Sequence, residues 1–146
     1  MSRARSCARK RAIQALYQWQ VGGQDLADIE SHFLAEQDME GCDLGYFSEL
    51  LHQIPARFDE LNEAIDPCLD RPISQIDPVE RAILSTGVYE LKFRIDIPYR
   101  VVINEAVELA KIFGGEQGHR YVNGILDKVS RTLRKAEVEA AGKRRS

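Results

Sequence analysis

Long apolar runs are missing from this chain of 146 residues, in which no 18 consecutive apolar residues occur. A membrane-spanning helix needs about 20 such residues, so none is predicted and no membrane partner is expected. The basic N-terminus is not followed by the apolar stretch of a secretory leader. We therefore expect one cytoplasmic domain of ordinary size.

Cysteine and histidine are scarce. Cys7, Cys42 and Cys68 are widely spaced and form no Cys-x-x-Cys motif. An odd count with such spacing favours neither a disulfide framework nor a zinc site. No two of the three histidines lie four residues apart. We expect three reduced, structural cysteines, no metal and no cofactor.

Motifs of the common enzyme classes are also missing, since the sequence contains no GxGxxG, GxxxxGK[ST], HExxH or GxSxG. Gly114 and Gly115 precede a predicted helix, as in a phosphate loop, but more simply end one helix and begin the next. Glu105 and Glu108 lie three residues apart without a Glu-x-x-His pattern, and we interpret them as exposed or capping acids. The sequence predicts a protein that is not an enzyme.

Charge is unevenly distributed along the chain. Residues 1–11 contain five bases and no acid, residues 12–80 contain 15 acids and two bases, and residues 81–146 contain 13 bases and eight acids. A basic segment of this kind attracts nucleic acid, and the acidic block could face a basic protein. Both could equally be solvated helix faces, so charge alone leaves these alternatives open.

Apolar residues recur with helical spacing almost throughout, which predicts an all-α fold. Glycine, proline and capping aspartates divide the pattern into six helices, with a basic flexible tail after them. The fourth helix has the clearest start, because Asp77 can cap it, Pro78 suits its first position and Glu80 completes a capping box. Its two apolar sides predict a central position. The first predicted helix covers residues 3–20, the second begins at 25, and the third covers 43–65 with a kink at Pro55. The fourth begins at 77, the fifth covers 99–113 and the sixth covers 117–134. The predicted domain covers residues 1–136, and the tail covers 137–146.

The first and sixth predicted helices each carry a polar, basic face. On the first, Arg3, Lys10, Gln14 and Tyr17 share one side, where a ring can stack on a base while cations meet phosphates. The alternative for Tyr17 is a half-buried core tyrosine. No RRM, KH or zinc-finger signature is present, so the residues alone predict a helical domain suited to RNA. The outer face of the sixth helix carries Arg120, Asn123, Asp127, Lys128 and Arg131, with Tyr121 beside it.

Four ordered segments resemble the NusB family of transcription antitermination factors, and the resemblance runs from about residue 5 to 133. It implies two helical subdomains of about three helices each, packed as one domain. It also implies a function: family members pair with NusE, a small-subunit ribosomal protein, bind the single-stranded boxA element of nascent RNA, and with NusA and NusG promote RNA polymerase read-through, notably in ribosomal RNA operons. The segments are 12–20, 33–38, 79–91, and 97–128 with gaps at 112 and 115–120.

The resemblance also implies which residues act. The RNA surface would combine the basic first helix with the start of the sixth helix, and NusE would contact Glu80 and Arg81. Asn104 and Glu105 belong to the most recognisable motif of the family and are interpreted as helix-start structure, not ligands. The implied RNA-binding residues are Arg3, Arg5, Arg9, Lys10, Gln14, Tyr17, Gln117, His119, Arg120, Tyr121 and Asn123.

The sequence departs from the family pattern in three places, and two other hypotheses stand beside the family's function. Ser6 and Cys7 interrupt the arginine run near the start, Gln117-Gly118 replaces an acidic residue followed by serine, and Tyr121 replaces a phenylalanine while keeping the ring. One alternative is the NusB-like part of an RNA cytosine methyltransferase, which would need a long catalytic domain. Another is a helical adaptor that binds only protein.

Overall fold

The computed structural model describes residues 2–114 and 116–145, with no account of the side chains of residues 116, 144 and 145. Helices make up nearly all of it, and no strand occurs in this part of the chain, so the all-α prediction is confirmed. In the same residues, no helix is both long and apolar enough to cross a membrane. The helices are α1 (Arg3–Gly22), α2 (Leu26–Glu36), α3 (Leu44–Ala56), α4 (Phe58–Ile65), α5 (Pro78–Phe93), α6 (Tyr99–Phe113), α7 (Glu116–Leu133) and α8 (Lys135–Arg145), with short 3-10 turns at Asp66–Cys68 and Ile73–Gln75.

Two groups of helices form the predicted pair of subdomains. In the first, α1, α2 and α3 pack on one another; in the second, α5, α6 and α7 do so, and α1 lies against α5 to join the groups. Capping side chains begin several of these helices as the sequence predicts. Asp77 Oδ1 accepts from the Val79 amide at 2.9 Å, and the Asp25 side chain caps α2 in the same way. Gly23, at φ +65°, ends α1 in the left-handed conformation that glycine adopts freely.

The predicted kinked helix over residues 43–65 is instead two helices. Pro55 lies in the last turn of α3, where it lacks the N–H that would continue the backbone ladder. Arg57 then leaves helical geometry, at φ −113° and ψ 21°, and α4 begins at Phe58. The proline therefore ends one helix and redirects the chain, which is a stronger effect than the expected kink.

Helix α5 occupies the centre, as its two apolar sides predict. Every residue from 82 to 91 is buried, and α1, α3, α4, α6 and α7 all pack against this helix. Gly87 permits a close approach of α7: a Cβ atom there would lie 2.9 Å from Leu126 Cδ1 on α7. This glycine thus sets the distance between α5 and α7.

A helix replaces the flexible tail predicted for residues 137–146. Helix α8 continues to Arg145, and residue 146 lies outside the described part of the chain. Glu137 Oε2 accepts from the Tyr99 amide at 2.8 Å and its Oε1 accepts from Arg134 at 2.6 Å. Val138 and Ala141 pack on the core. These contacts attach α8 to the start of α6, so the prediction of a frayed tail was wrong for the described residues.

The expectation of three reduced cysteines was also wrong. A disulfide joins Cys7 on α1 to Cys42 in the turn before α3, with their Cα atoms 4.9 Å apart, and only Cys68 is free among the described residues. The partners are 35 residues apart in sequence, and neither local spacing nor the odd count could reveal that the fold brings them together.

Candidate nucleic-acid interface

Helix α1 presents the polar face predicted for it. Its opposite side places Ala8, Ala12 and Leu16 in the core with no exposed surface. Tyr17 is 39% exposed, which does not fit the alternative of a core tyrosine. On the same face Arg3 is exposed, and Lys10 and Gln14 are half-buried. A ring and two cations are therefore available to a ligand along this helix.

Arg9 does not belong to that face, and its prediction as an RNA contact was wrong. It is 1% exposed, its Nε lies 2.8 Å from Glu90 Oε2, and its Nη1 lies 3.1 Å from Glu105 Oε1. The signal was present in the sequence, because Arg9 precedes core residues Ala12 and Leu16 by three and seven positions, on the buried side of the helix. A buried arginine held by two carboxylates cannot meet a phosphate.

Glu105 on α6 joins this buried network. Besides Arg9, it accepts a hydrogen bond from the Ser6 hydroxyl, so it fastens α1 to α6. Glu108, one turn later, is exposed and pairs with Lys111 at 3.4 Å. The interpretation as an exposed or capping acid therefore fits Glu108, whereas Glu105 has a different role. Tyr46 completes the network by donating to Glu90, and burial together with Glu90 raises the pKa of Tyr46.

Arg5 is only partly available to a ligand. Its guanidinium lies 3.7 Å from Asp96 Oδ2 and 5.0 Å from the centre of the Tyr46 ring. The side chain keeps 32% of its surface exposed. Because the pair with Asp96 is partly solvated, it contributes little to stability, and a phosphate could compete for this arginine.

A cleft of about 320 Å³ lies between α1 and α6. Its floor is apolar, with Leu109 and Ile112, and the latter is 58% exposed. Lys10 and Arg11 line its α1 side. The cleft adds an apolar floor to the basic face of α1, a combination that suits an unstacked base with its phosphate. Arg11, which follows Lys10 on the helix, was not among the RNA-binding residues predicted from the sequence.

At the start of α7, Arg120 and Tyr121 lie against the segment that contains Asp70 and Arg71. The Tyr121 hydroxyl donates to Asp70 Oδ1 at 3.2 Å, and the Arg71 guanidinium lies 4.9 Å from the ring centre. Hydrogen bonding from Arg71 lowers the pKa of the Asp70 carboxyl. Burial, as the larger cause, and the hydrogen bond to Asp70 raise the pKa of the Tyr121 hydroxyl. One face of this ring is thus covered by a cation, which sequence reasoning missed because the two residues are 50 positions apart.

The other predicted α7 residues differ in their surroundings. Gln117 is exposed. His119 is half-buried, and its Nδ1 has no hydrogen-bond partner among the described residues. Asn123 lies at the opposite edge of the outer face from Tyr121, where it lines a groove of about 350 Å³ with Asn104 and Arg131. The structure therefore places Arg120 and Tyr121 together but directs Asn123 toward α6 and α8.

Glu80, predicted to contact a partner protein, lies against the first turn of α7. A Cβ atom on Gly118 would be 2.8 Å from Glu80 Oε1. Burial, and secondly the charge of Asp77, raise the pKa of the Glu80 carboxyl. Arg81 is half-buried. The predicted partner surface and the predicted RNA segment of α7 thus adjoin each other at Glu80.

No group of three potential metal-ligating side chains comes together in the described residues. The arrangement instead offers solvent-facing cations, a partly exposed tyrosine and an apolar cleft. These features suit binding of a flexible polyanion with exposed bases.

Comparisons with known proteins agree with this fold. A sequence profile of the NusB family matches residues 6–131. The transcription antitermination protein NusB of Nitrosococcus oceani is 56% identical over 145 residues, covering 99% of this chain and 97% of that protein. The protein of the same name from Shewanella halifaxensis is 54% identical over 122 residues, covering 84% of this chain and 90% of its own length.

Solved structures of similar fold are known. A crystal structure of the antitermination factors NusB and NusE in complex with dsRNA contains a chain with a TM-score of 0.81 and 27% identity, covering 90% of this chain and 98% of its own. T. maritima NusB has a TM-score of 0.78 at 29% identity, and the match covers 95% of this chain and 99% of that chain. The profile match over most of the residues, the high identity to both relatives and the shared helical fold together show that this chain belongs to the NusB family.

Proposed function

We propose that this protein is a transcription antitermination factor that binds the single-stranded boxA element of nascent RNA together with NusE. With NusA and NusG it would promote read-through by RNA polymerase, notably in ribosomal RNA operons. The observation that carries the proposal is the polar face of α1, where Tyr17 is exposed and Lys10 lines a cleft with an apolar floor. The family relationship supports it, because the relatives are transcription antitermination proteins and a structural neighbour binds NusE and dsRNA.

Each side chain has a physical role in this proposal. Arg3, Arg5, Lys10 and Arg120 neutralise phosphates, which gives affinity that depends on salt. Tyr17 stacks on a base, and Gln14, Gln117, His119 and Asn123 offer hydrogen bonds to base edges. Tyr121 contributes its uncovered ring face. Glu80 and Arg81 contact NusE beside the α7 segment, so one partner protein and one RNA strand would meet there.

The proposed activity is regulatory binding, not catalysis. A factor of this kind acts by holding RNA and protein in one complex and needs neither cofactor nor metal. Because it works on RNA as the polymerase makes it, the cytoplasmic location predicted from the sequence suits this function.

The test is a fluorescence titration of labelled boxA RNA, with and without NusE, at two or more salt concentrations. About four cations meeting phosphates on a single strand predict a log–log salt slope of roughly −3. The variant Lys10→Ala/Tyr17→Ala removes a cation and a stacking ring, and we expect it to weaken binding by about tenfold or more. The matched control, Lys135→Ala/His32→Ala, removes an exposed cation and an exposed ring from α8 and α2 and should bind as the parent does.

Three outcomes would overturn parts of the proposal. Equal affinity for boxA and a scrambled strand in the presence of NusE would contradict sequence-selective recognition. Tighter binding of a duplex than of the single strand would contradict the proposed RNA form. Unchanged RNA binding by the Lys10/Tyr17 variant, with NusE binding intact, would favour a protein-binding adaptor whose basic face is only solvated.

A further inference from the structure

The disulfide between Cys7 and Cys42 joins the RNA face of α1 to a turn from another part of the chain. Cys7 is the fifth residue of α1, and Cys42 directly precedes Asp43, the residue that caps α3. Two hydrogen bonds accompany the link: the Asp43 amide donates to the Ala4 carbonyl at 3.0 Å, and Arg11 Nε donates to the Asp38 carbonyl at 3.2 Å. Residues 38–43 are thus held against the first turns of α1.

The surroundings of Cys7 favour thiol chemistry. On a helix, residues three and four positions apart are neighbours, and three of the four such neighbours of Cys7 are the cations Arg3, Lys10 and Arg11. Positive charge stabilises a sulfur anion, which is the form that attacks disulfides. Both partners of the disulfide are only half-buried, so small reagents can reach them. Lys10 and Arg11 line the cleft between α1 and α6 together with Cys7.

We propose that Cys7 and Cys42 form a reversible thiol–disulfide site that exchanges with small disulfides such as oxidised glutathione. From the reduced state, the Cys7 thiolate attacks the glutathione disulfide, forming a mixed disulfide and releasing one glutathione thiolate. The Cys42 thiolate then attacks the Cys7 sulfur and releases the second glutathione. Two protein thiols are oxidised and one glutathione disulfide is reduced, and excess reduced glutathione reverses both steps.

Closing this site fixes the geometry of the basic face of α1. The link crosses 35 residues, and constraining a loop of that length restricts the unfolded chain. Opening it leaves the turn at 38–43 without a covalent link to α1. The cations that flank Cys7 include Arg3 and Lys10, which the proposed function assigns to RNA phosphates. The oxidised protein holds these cations in place and therefore binds boxA several-fold more tightly than the reduced protein. This effect on RNA rests on the proposed function.

The experiment uses the full chain carrying Cys68→Ser, so that only the proposed pair remains. The protein is equilibrated in glutathione buffers of different redox ratio, alkylated with iodoacetamide and weighed by mass spectrometry. We expect zero alkylated cysteines at oxidising ratios and two at reducing ratios, with a Tm lower by roughly 10 °C when the pair is open. In the matched control with Cys42→Ser added, no intramolecular disulfide forms at any ratio.

Other results would overturn the proposal. Two alkylated cysteines at every ratio would show that the pair does not close, and zero at every ratio, even with excess dithiothreitol, would show that it does not exchange. A glutathione adduct on Cys7 that never resolves would show that Cys42 is not its partner.

A boxA titration of the same samples tests the consequence for RNA. The Cys7→Ser/Cys42→Ser variant should bind equally at all ratios, and a change in this variant would contradict the link to the pair. If no form binds RNA while the alkylation pattern follows the redox ratio, the proposed function fails and the thiol–disulfide site stands.

Discussion

Arg9 and Glu90 form an ion pair inside the protein, with Nε and Oε2 2.8 Å apart and side chains 1% and 2% exposed. Glu90 lies on the central helix α5, and Arg9 lies on α1 three residues from Ala12. The pair therefore connects the two helical subdomains through charge. Glu105 adds a second carboxylate to the same guanidinium, which satisfies more of its donors than a single partner could.

Replacing Arg9 by methionine should destabilise the fold. The change leaves Glu90 buried without its cation, which costs about 3–5 kcal/mol in the free energy of unfolding. Adding Glu90→Leu should recover much of this loss, because an apolar pair has no unpaired charge. Urea denaturation followed by circular dichroism measures both effects. Lys10→Met, one residue away on the outer face, is the control, and a loss for Arg9→Met no larger than for Lys10→Met would contradict the argument.

Two glycines in helix interiors should respond to alanine in opposite directions. At Gly87 the new Cβ would lie 2.9 Å from Leu126 Cδ1, so we expect overpacking to outweigh the gain in helix propensity and to cost about 1–2 kcal/mol. At Gly124, where a Cβ meets nothing within 4 Å, alanine should stabilise by about 0.5–1 kcal/mol. Thermal melts of the two variants give the comparison. If both substitutions raised the Tm, α5 and α7 would be less closely packed than described.

Glu80 should lower stability at neutral pH. Burial and the neighbouring Asp77 raise the pKa of its carboxyl in the folded state, so the folded protein takes up a proton at a higher pH than the unfolded chain does. The stability that this group contributes therefore increases as pH falls from neutral toward its ordinary pKa of 4.5. Glu80→Gln should have a higher Tm than the parent at pH 7, and the difference should shrink toward pH 4. A constant difference across that range would contradict the pKa direction.

Glu137 should stabilise the start of α6 from a distance. Its Oε2 accepts a hydrogen bond from the Tyr99 amide at 2.8 Å. Pro98, the N-cap residue of α6, has no side-chain capping hydrogen bond, so Glu137 takes over this role. Glu137→Ala should cost about 1–2 kcal/mol and increase hydrogen exchange at the Tyr99 amide. Glu139→Ala, exposed on the same helix, should change neither. Unaltered exchange at Tyr99 in the Glu137 variant would mean that α8 does not cap α6.

Local signals predicted much of the fold. The start of α5 follows from Asp77 and Pro78, and its central position follows from apolar residues on two sides. The polar side of α1 follows from helical spacing, although the spacing left open whether Tyr17 on that side is exposed or half-buried. These features depend on residues within a few positions of each other, where sequence and geometry are directly related.

The remaining features depend on contacts between distant segments. Arg9 was counted as a surface cation because its charge was weighed without its position on the helix. The disulfide needs Cys42 to reach α1 through the turn before α3. Helix α8 has a weak apolar pattern, with Val138 and Ala141 as its main anchors, and it forms against α6 through Glu137. Such pairings exist only once the chain has folded.

The all-round burial of α5 has a consequence for how this sequence can change over generations. A substitution between positions 82 and 91 alters packing against several helices at once, so few replacements there would be neutral. Helix α2 buries only Ile29 and Phe33 and packs on α1 and α3, which leaves most of its positions free to vary. Divergence between lineages should therefore accumulate on α2 and leave α5 nearly unaltered.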